Sequence, residues 1–226
     1  MLTDNSSGLD LPAAVILETI QAEGGVNIAR GQWLRELANI CWEFDILLIV
    51  DDIQVGNGRS GDFFSFEEAG IKPDIVTLSK SIGGGLPLAF ILMRPDLDQW
   101  KPGEHTGTFR GNNLAFIAST QAMQYWDTLD LSEAVKYKGA VMEKELSAIV
   151  EKYPEINGEV RGRGMIYGLE IPERGLAGQV SEKCFENGLV IELAGADNQV
   201  VKFLPALTID EETLLRGIGI VDQSIG

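Results

Sequence analysis

The sequence predicts an α/β domain followed by a smaller α+β unit. Three observations carry this reading. Unbroken apolar runs at residues 13–17, 46–50, 74–78 and 87–93 read as short strands buried on both faces. A helix-period segment at 31–44 and a short one at 65–70 lie between them, the order expected of a parallel or mixed sheet covered by helices on both faces. Beyond residue 128 the pattern changes to a long helix and then short strands alternating with helices.

In chain order, "AAVIL" is the first strand and "ETIQAEGG" a loop. The helix at 31–44 places Trp33, Leu37, Ile40, Cys41 and Phe44 on one face. "ILLIV" is the next strand, followed by a glycine-rich loop, a short helix at "SFEEAG" and the strand "DIVTL". Lys80 comes directly after that strand, ahead of "SIGGGLP", and "PLAFILM" is a further strand. A helix starts at residue 113. Another, at about 132–153, carries Val135, Val141, Met142, Leu146 and Ile149 at helical spacing. The strand "GMIYGLEI", a helix at 176–187 closed by Gly188, and the strands "LVIEL" and "VVKFL" follow. Thr208 and Glu211 have capping-box spacing at the start of a final helix. The domains are expected at 1–128 and 129–226.

Composition narrows the function. Acidic residues outnumber basic ones 34 to 18, for a formal charge of −16, which disfavours nucleic-acid binding. No apolar run approaches a membrane span, and the N-terminus lacks a signal peptide's basic and apolar regions, so a cytoplasmic protein is expected. Cys41 and Cys184 fall on apolar helical faces and read as buried reduced thiols, with a disulfide or metal site as the alternative. A single histidine, His105, cannot build a His-based zinc site, and no spacing fits a metal.

Gly56-Asn57-Gly58-Arg59-Ser60-Gly61 fits the dinucleotide pattern G-x-G-x-x-G. Its context is wrong. Asp51 and Asp52 stand between the strand and the glycines, where they would repel a pyrophosphate, and no long amphipathic helix follows. Ligands of α/β sheets sit outside the carboxyl ends of the strands, and Asp51 and Lys80 occupy two such ends. A lysine amine forms a Schiff base with an aldehyde. If the aldehyde is that of pyridoxal phosphate, the ring needs an anion at its pyridinium nitrogen, and Asp51 is the right group. Asp51 alone is equally a cap or turn aspartate.

These residues carry a resemblance. "IVDDIQVGNGRSGDFFSFEEAGIKPDIVTLSKSIGGGLPLA" resembles the core of the class-III aminotransferases, pyridoxal-phosphate enzymes of fold-type I. "ILETIQAEGG" is similar to that family's Glu-Pro-Ile-Gln-Gly-Glu-Gly-Gly loop, and "HTGTFRGNNLAF" to its His-Gly-Ser-Thr-Tyr-Gly-Gly-Asn-Pro-Leu-Ala segment. "RGRGMIYGLEI" and "VKFLPALTI" resemble two C-terminal motifs. Within the family the chain looks most like the diaminobutyrate branch, which serves ectoine synthesis.

The resemblance implies a partial large domain, with a mostly parallel sheet, and a C-terminal small domain. It implies a homodimer with shared sites, acting on amino acid and oxo acid substrates. Lys80 would hold the cofactor aldehyde and, once released, shuttle the proton. Asp51 would face the pyridinium nitrogen and Gln54 the phenolic oxygen, and Thr108 would bind the phosphate across the dimer interface. Glu23 matches a gating glutamate that neutralises a basic residue, usually arginine and here Lys202. Lysine lacks arginine's bidentate fork, which favours the diaminobutyrate branch over ornithine-type enzymes.

On residue pattern alone, Lys202 reads as a strand-edge surface lysine and Glu23 as a solvated loop carboxylate. His105 reads as structural, and Arg59 and Arg110 as loop-ordering or surface residues. Family members are longer, so the chain reads as a C-terminal fragment with little activity alone. The expected reaction converts glutamate and aspartate 4-semialdehyde to 2,4-diaminobutyrate and 2-oxoglutarate. The rivals are a class-III enzyme for ornithine, acetylornithine or 4-aminobutyrate, and a non-catalytic remnant acting through the dimer face.

Overall fold

The computed structural model describes residues 2–4, 6–128 and 130–226 of the chain. The elements are β1 (Ala14–Leu17), β2 (Ile20–Gln21), β3 (Asn27–Ile28), α1 (Gly31–Glu43), β4 (Leu47–Asp51), β5 (Ile75–Leu78) and β6 (Phe90–Met93). Then come α2 (Asn113–Thr128), α3 (Leu131–Lys152), β7 (Glu159–Arg163), β8 (Ile166–Glu170), α4 (Leu176–Glu186), β9 (Glu192–Ala194), β10 (Val200–Phe203) and α5 (Glu211–Ile225).

Two compact units result. One comprises Met1–Thr19, Ala29–Gly56 and Phe66–Leu129; the other comprises Ile20–Ile28, Asn57–Ser65 and Asp130–Gly226. Two segments from the first half of the chain thus group with its second half. Backbone bonds explain why: Gly195 N donates to Glu23 O, and Met165 N donates to Arg59 O. The expected boundary after residue 128 falls on Leu129, outside the described residues.

The first unit holds a sheet of order β1-β4-β5-β6. β1, β4 and β5 are parallel, and β6 runs antiparallel to β5, so the sheet is mixed. Asp74 pins its amino end: Oδ2 accepts from Leu48 N at 2.7 Å and Oδ1 pairs with Arg94 at 2.8 Å. α1 packs on β4. Its buried residues are Leu34 and Cys41, two turns apart, while Trp33 and Ile40 are exposed, so the face predicted for this helix was rotated. Ile16, Ile91 and Leu92 are also exposed, so helices do not cover both faces of the sheet throughout. The helix expected at 65–70 is instead a set of turns closed by Ala69 N to Phe66 O and Gly70 N to Glu67 O.

The second unit holds an antiparallel sheet of order β7-β8-β10-β9 and the β2-β3 ribbon, where a loop was expected. α3 lays Val135, Met142, Leu146 and Ile149 on β7 and β8. Each such side chain contributes about 1.5–3 kcal/mol by leaving water. Gly139 lies in that face because a β-carbon there would collide with the Gly164 carbonyl. α5 is capped by Asp210, which accepts from Thr213 N at 2.7 Å, and not by the predicted Thr208.

Candidate functional site

β4 and β5 are parallel neighbours, so their carboxyl ends open on the same edge of the sheet. Asp51 ends β4 opposite Thr77. Its Oδ1 accepts from Thr77 Oγ1 and Ile53 N, each at 3.1 Å. Its Oδ2 accepts no hydrogen bond among the described residues, leaving one carboxylate oxygen open to an outside donor. Gln54 follows in the turn, half-buried. Gly56 N closes this turn on Asp52 O, and a β-carbon at Gly56 would lie 2.6 Å from Asp52 Oδ2. The first glycine of the G-x-G-x-x-G run is there to let the chain fold back on Asp52.

Lys80 leaves the edge two residues after β5 and begins a 3-10 turn, Lys80–Gly83. It is exposed, and its ammonium makes no hydrogen bond or ion pair among the described residues. Its φ is 53°, the left-handed region, which costs a side-chain-bearing residue about 1 kcal/mol. Such strain at an exposed lysine is the mark of a position selected for something other than stability. The surrounding loop is rigid. Ser79 Oγ donates to Leu88 O at 2.8 Å, and Gly84, at φ 60°, lies so close to the Ala118 carbonyl of α2 that no side chain fits.

Asp51 and Lys80 thus share an edge but form no ion pair with each other. Thr108 is exposed in a turn, and no hydrogen bond joins it to Lys80 or Asp51. His105 stacks on Trp100 at 5.3 Å.

In the second unit the structure brings Glu23 and Lys202 together. Lys202 lies on β10, an interior strand, and its side chain is 0% exposed. The alternative of a strand-edge surface lysine is therefore wrong: the residue faces inward from the middle of a sheet. Its Nζ donates to Glu23 Oε1 at 2.6 Å and lies 3.0 Å from Glu192 Oε2. The turn carrying Glu23 is anchored twice, by Gly195 N to Glu23 O at 2.9 Å and by Arg161 Nε to Gly25 O at 2.8 Å. Arg161 is itself paired with Glu170, whose carboxyl it holds below the ordinary value.

Glu192, Arg161 and Thr77 were not anticipated. Thr77 had a signal, a lone hydroxyl in an apolar strand. Arg59 donates to the carbonyls of Met165 and Pro205, and burial pulls it down to about 10, so it remains a cation at neutral pH. It orders its loop, as expected. Cys41 and Cys184 are free and buried, and burial pushes both thiols up.

Comparison with known proteins agrees with this arrangement. Residues 8–225 match the class-III aminotransferase family. The chain is 65% identical, over 100% of its length and 53% of the relative's, to the diaminobutyrate–2-oxoglutarate transaminase of Wolinella succinogenes. It is 53% identical to that of Oceanobacillus iheyensis, over 99% of the chain and 53% of the relative. The chain therefore spans about half the length of these relatives. Among solved structures, the ornithine aminotransferase of Toxoplasma gondii superposes with a TM-score of 0.87 at 32% identity, over 94% of this chain and 51% of that one. The acetylornithine aminotransferase of Elizabethkingia anophelis gives 0.85 at 29% identity, over 94% and 56%. The fold is that of the fold-type I transferases, as the sequence pattern predicted.

Proposed function

Because the chain belongs to the class-III aminotransferases, we propose that it carries the lysine, the ring-facing aspartate and the carboxylate gate of a diaminobutyrate–2-oxoglutarate aminotransferase. The reaction moves an amino group from glutamate to aspartate 4-semialdehyde, giving 2,4-diaminobutyrate and 2-oxoglutarate, the entry to ectoine synthesis. The observation that carries this is the shared sheet edge, with an unpaired, strained Lys80 beside an Asp51 whose Oδ2 is open.

These residues fit pyridoxal phosphate. A protonated pyridine nitrogen needs one anionic acceptor, and Asp51 offers one, oriented by Thr77. When bound, the cofactor supplies an aldehyde that takes up amino groups and a ring that accepts electrons. Lys80 binds that aldehyde through its amine and, when displaced by the substrate amine, takes the proton leaving the substrate Cα. Asp51 keeps the ring nitrogen protonated. Gln54 borders the ring's phenolic oxygen. Thr108, exposed on its loop, donates to the phosphate in a second copy's site, which makes the working unit a homodimer.

Lys202 receives a substrate carboxylate, and Glu23 covers it when the substrate has none to offer. The identity to diaminobutyrate transaminases, at 53–65%, supports this substrate pair over ornithine or acetylornithine. We assign the reaction to the cytoplasm, which the two free thiols suit. No helix among the described residues is long and apolar enough to cross a membrane.

The test is amino transfer with pyridoxal phosphate present, comparing aspartate 4-semialdehyde, ornithine and acetylornithine as partners of glutamate and 2-oxoglutarate. Faster turnover of an ornithine-type substrate would replace this reading with its rival.

A further inference from the structure

Two carboxylates meet the Lys202 ammonium, and they are held in different ways. Glu192 stands directly opposite Lys202 in the antiparallel β9-β10 ladder. The register of the sheet alone delivers its carboxylate, at 3.0 Å. Glu23 arrives from a turn 179 positions away, and its side chain is 67% exposed. That turn is fastened through the main chain, by Gly195 to Glu23 O and by Arg161 to Gly25 O. The Glu23 side chain is therefore free to rotate off the lysine while its backbone stays in place.

Lys202, in contrast, is wholly buried. A buried ammonium stripped of negative neighbours is strongly disfavoured. A gate with one carboxylate would create that state each time it opened. We propose that Glu192 is the standing counter-charge of Lys202 and that Glu23 is the exchangeable one. A free carboxylate then enters by replacing Glu23 alone. The local charge, two negative groups on one positive group, is the same before and after the exchange. A ligand of higher charge, such as a phosphate dianion, upsets that balance, so the arrangement selects for carboxylates. The exchange rests on the transaminase reading; the standing counter-charge rests on the geometry alone.

The test uses the 226-residue chain with 15N-labelled lysine. A buried, paired ammonium exchanges protons slowly enough to give its own 1H–15N signal at neutral pH, and Lys202→Arg assigns it. The proposal expects this signal in the unsubstituted chain and in Glu23→Gln, and its loss in the Glu23→Gln/Glu192→Gln double variant. Backbone amide spectra report whether each variant is folded, and Glu23→Ala reads the same open state should Glu23→Gln misfold. Loss of the signal in Glu23→Gln, its survival in the double variant, or its absence from the unsubstituted chain overturns the standing counter-charge. Glutarate, a plain dicarboxylate, is then added to Glu23→Gln. A shift of the Lys202 signal supports the exchange. No shift overturns the exchange and the gating role it rests on, while the counter-charge is judged by the variants alone.

Discussion

Lys202 Nζ lies 2.6 Å from Glu23 Oε1, although the residues are 179 positions apart in the chain. The pairing joins the interior strand of one sheet to the tip of a two-stranded ribbon. It gives a fully buried cation a partner that is itself mostly in water. Such a pair is poorly placed to add stability and well placed to exchange one anion for another.

Lys202→Ala should therefore reveal packing more than charge. It removes a long buried stem and is expected to cost about 2–4 kcal/mol in urea unfolding. Lys202→Met keeps the volume and loses the buried charge, and is expected to stay within about 1.5 kcal/mol of the unsubstituted chain.

Lys80→Gly should separate stability from chemistry. Glycine adopts the left-handed conformation without strain but gives the unfolded chain more freedom. The variant is expected to be as stable as the original or up to about 1 kcal/mol more so. Having no amine at this position, it should lose covalent capture of pyridoxal phosphate.

Gly84→Ala should damage the Lys80 loop. The substitution combines a φ of 60° with collision against the Ala118 carbonyl. A cost of about 2 kcal/mol or more is expected, read as a lowered urea midpoint.

Acid should weaken the second unit through Glu170. Its hydrogen bond and ion pair with Arg161 hold the carboxyl below its ordinary value of 4.5. A carboxyl depressed in the folded state stabilises above its unfolded value and loses that contribution as pH falls through the folded one. Stability should therefore drop below about pH 4.5. Glu170→Gln should be less stable than the original at pH 7 and should lose less on acidification, as urea melts at pH 7, 4.5 and 3 would record.

The parts of this fold legible in the sequence are those that local chemistry decides. Apolar runs marked β4 and β5, and the polar residues ending them, Asp51 and Lys80, pointed to one sheet edge because parallel strands open together. What depends on distant pairing was not legible. Glu192 looked like an ordinary polar residue in a strand until the β9-β10 register set it opposite Lys202. Trp33 and Ile40 misled the reading of α1, since an apolar residue need not be buried. At α5 both Thr208 and Asp210 are capping residues, and only the backbone decides which one the helix uses.

The measurement that bears most directly on the central claim is borohydride reduction of the chain with pyridoxal phosphate, followed by peptide mass mapping. The account predicts a single dominant pyridoxyl adduct on the peptide containing Lys80, absent from Lys80→Ala. An unlabelled Lys80 peptide, or labelling spread evenly over the exposed lysines and unchanged in Lys80→Ala, would contradict it.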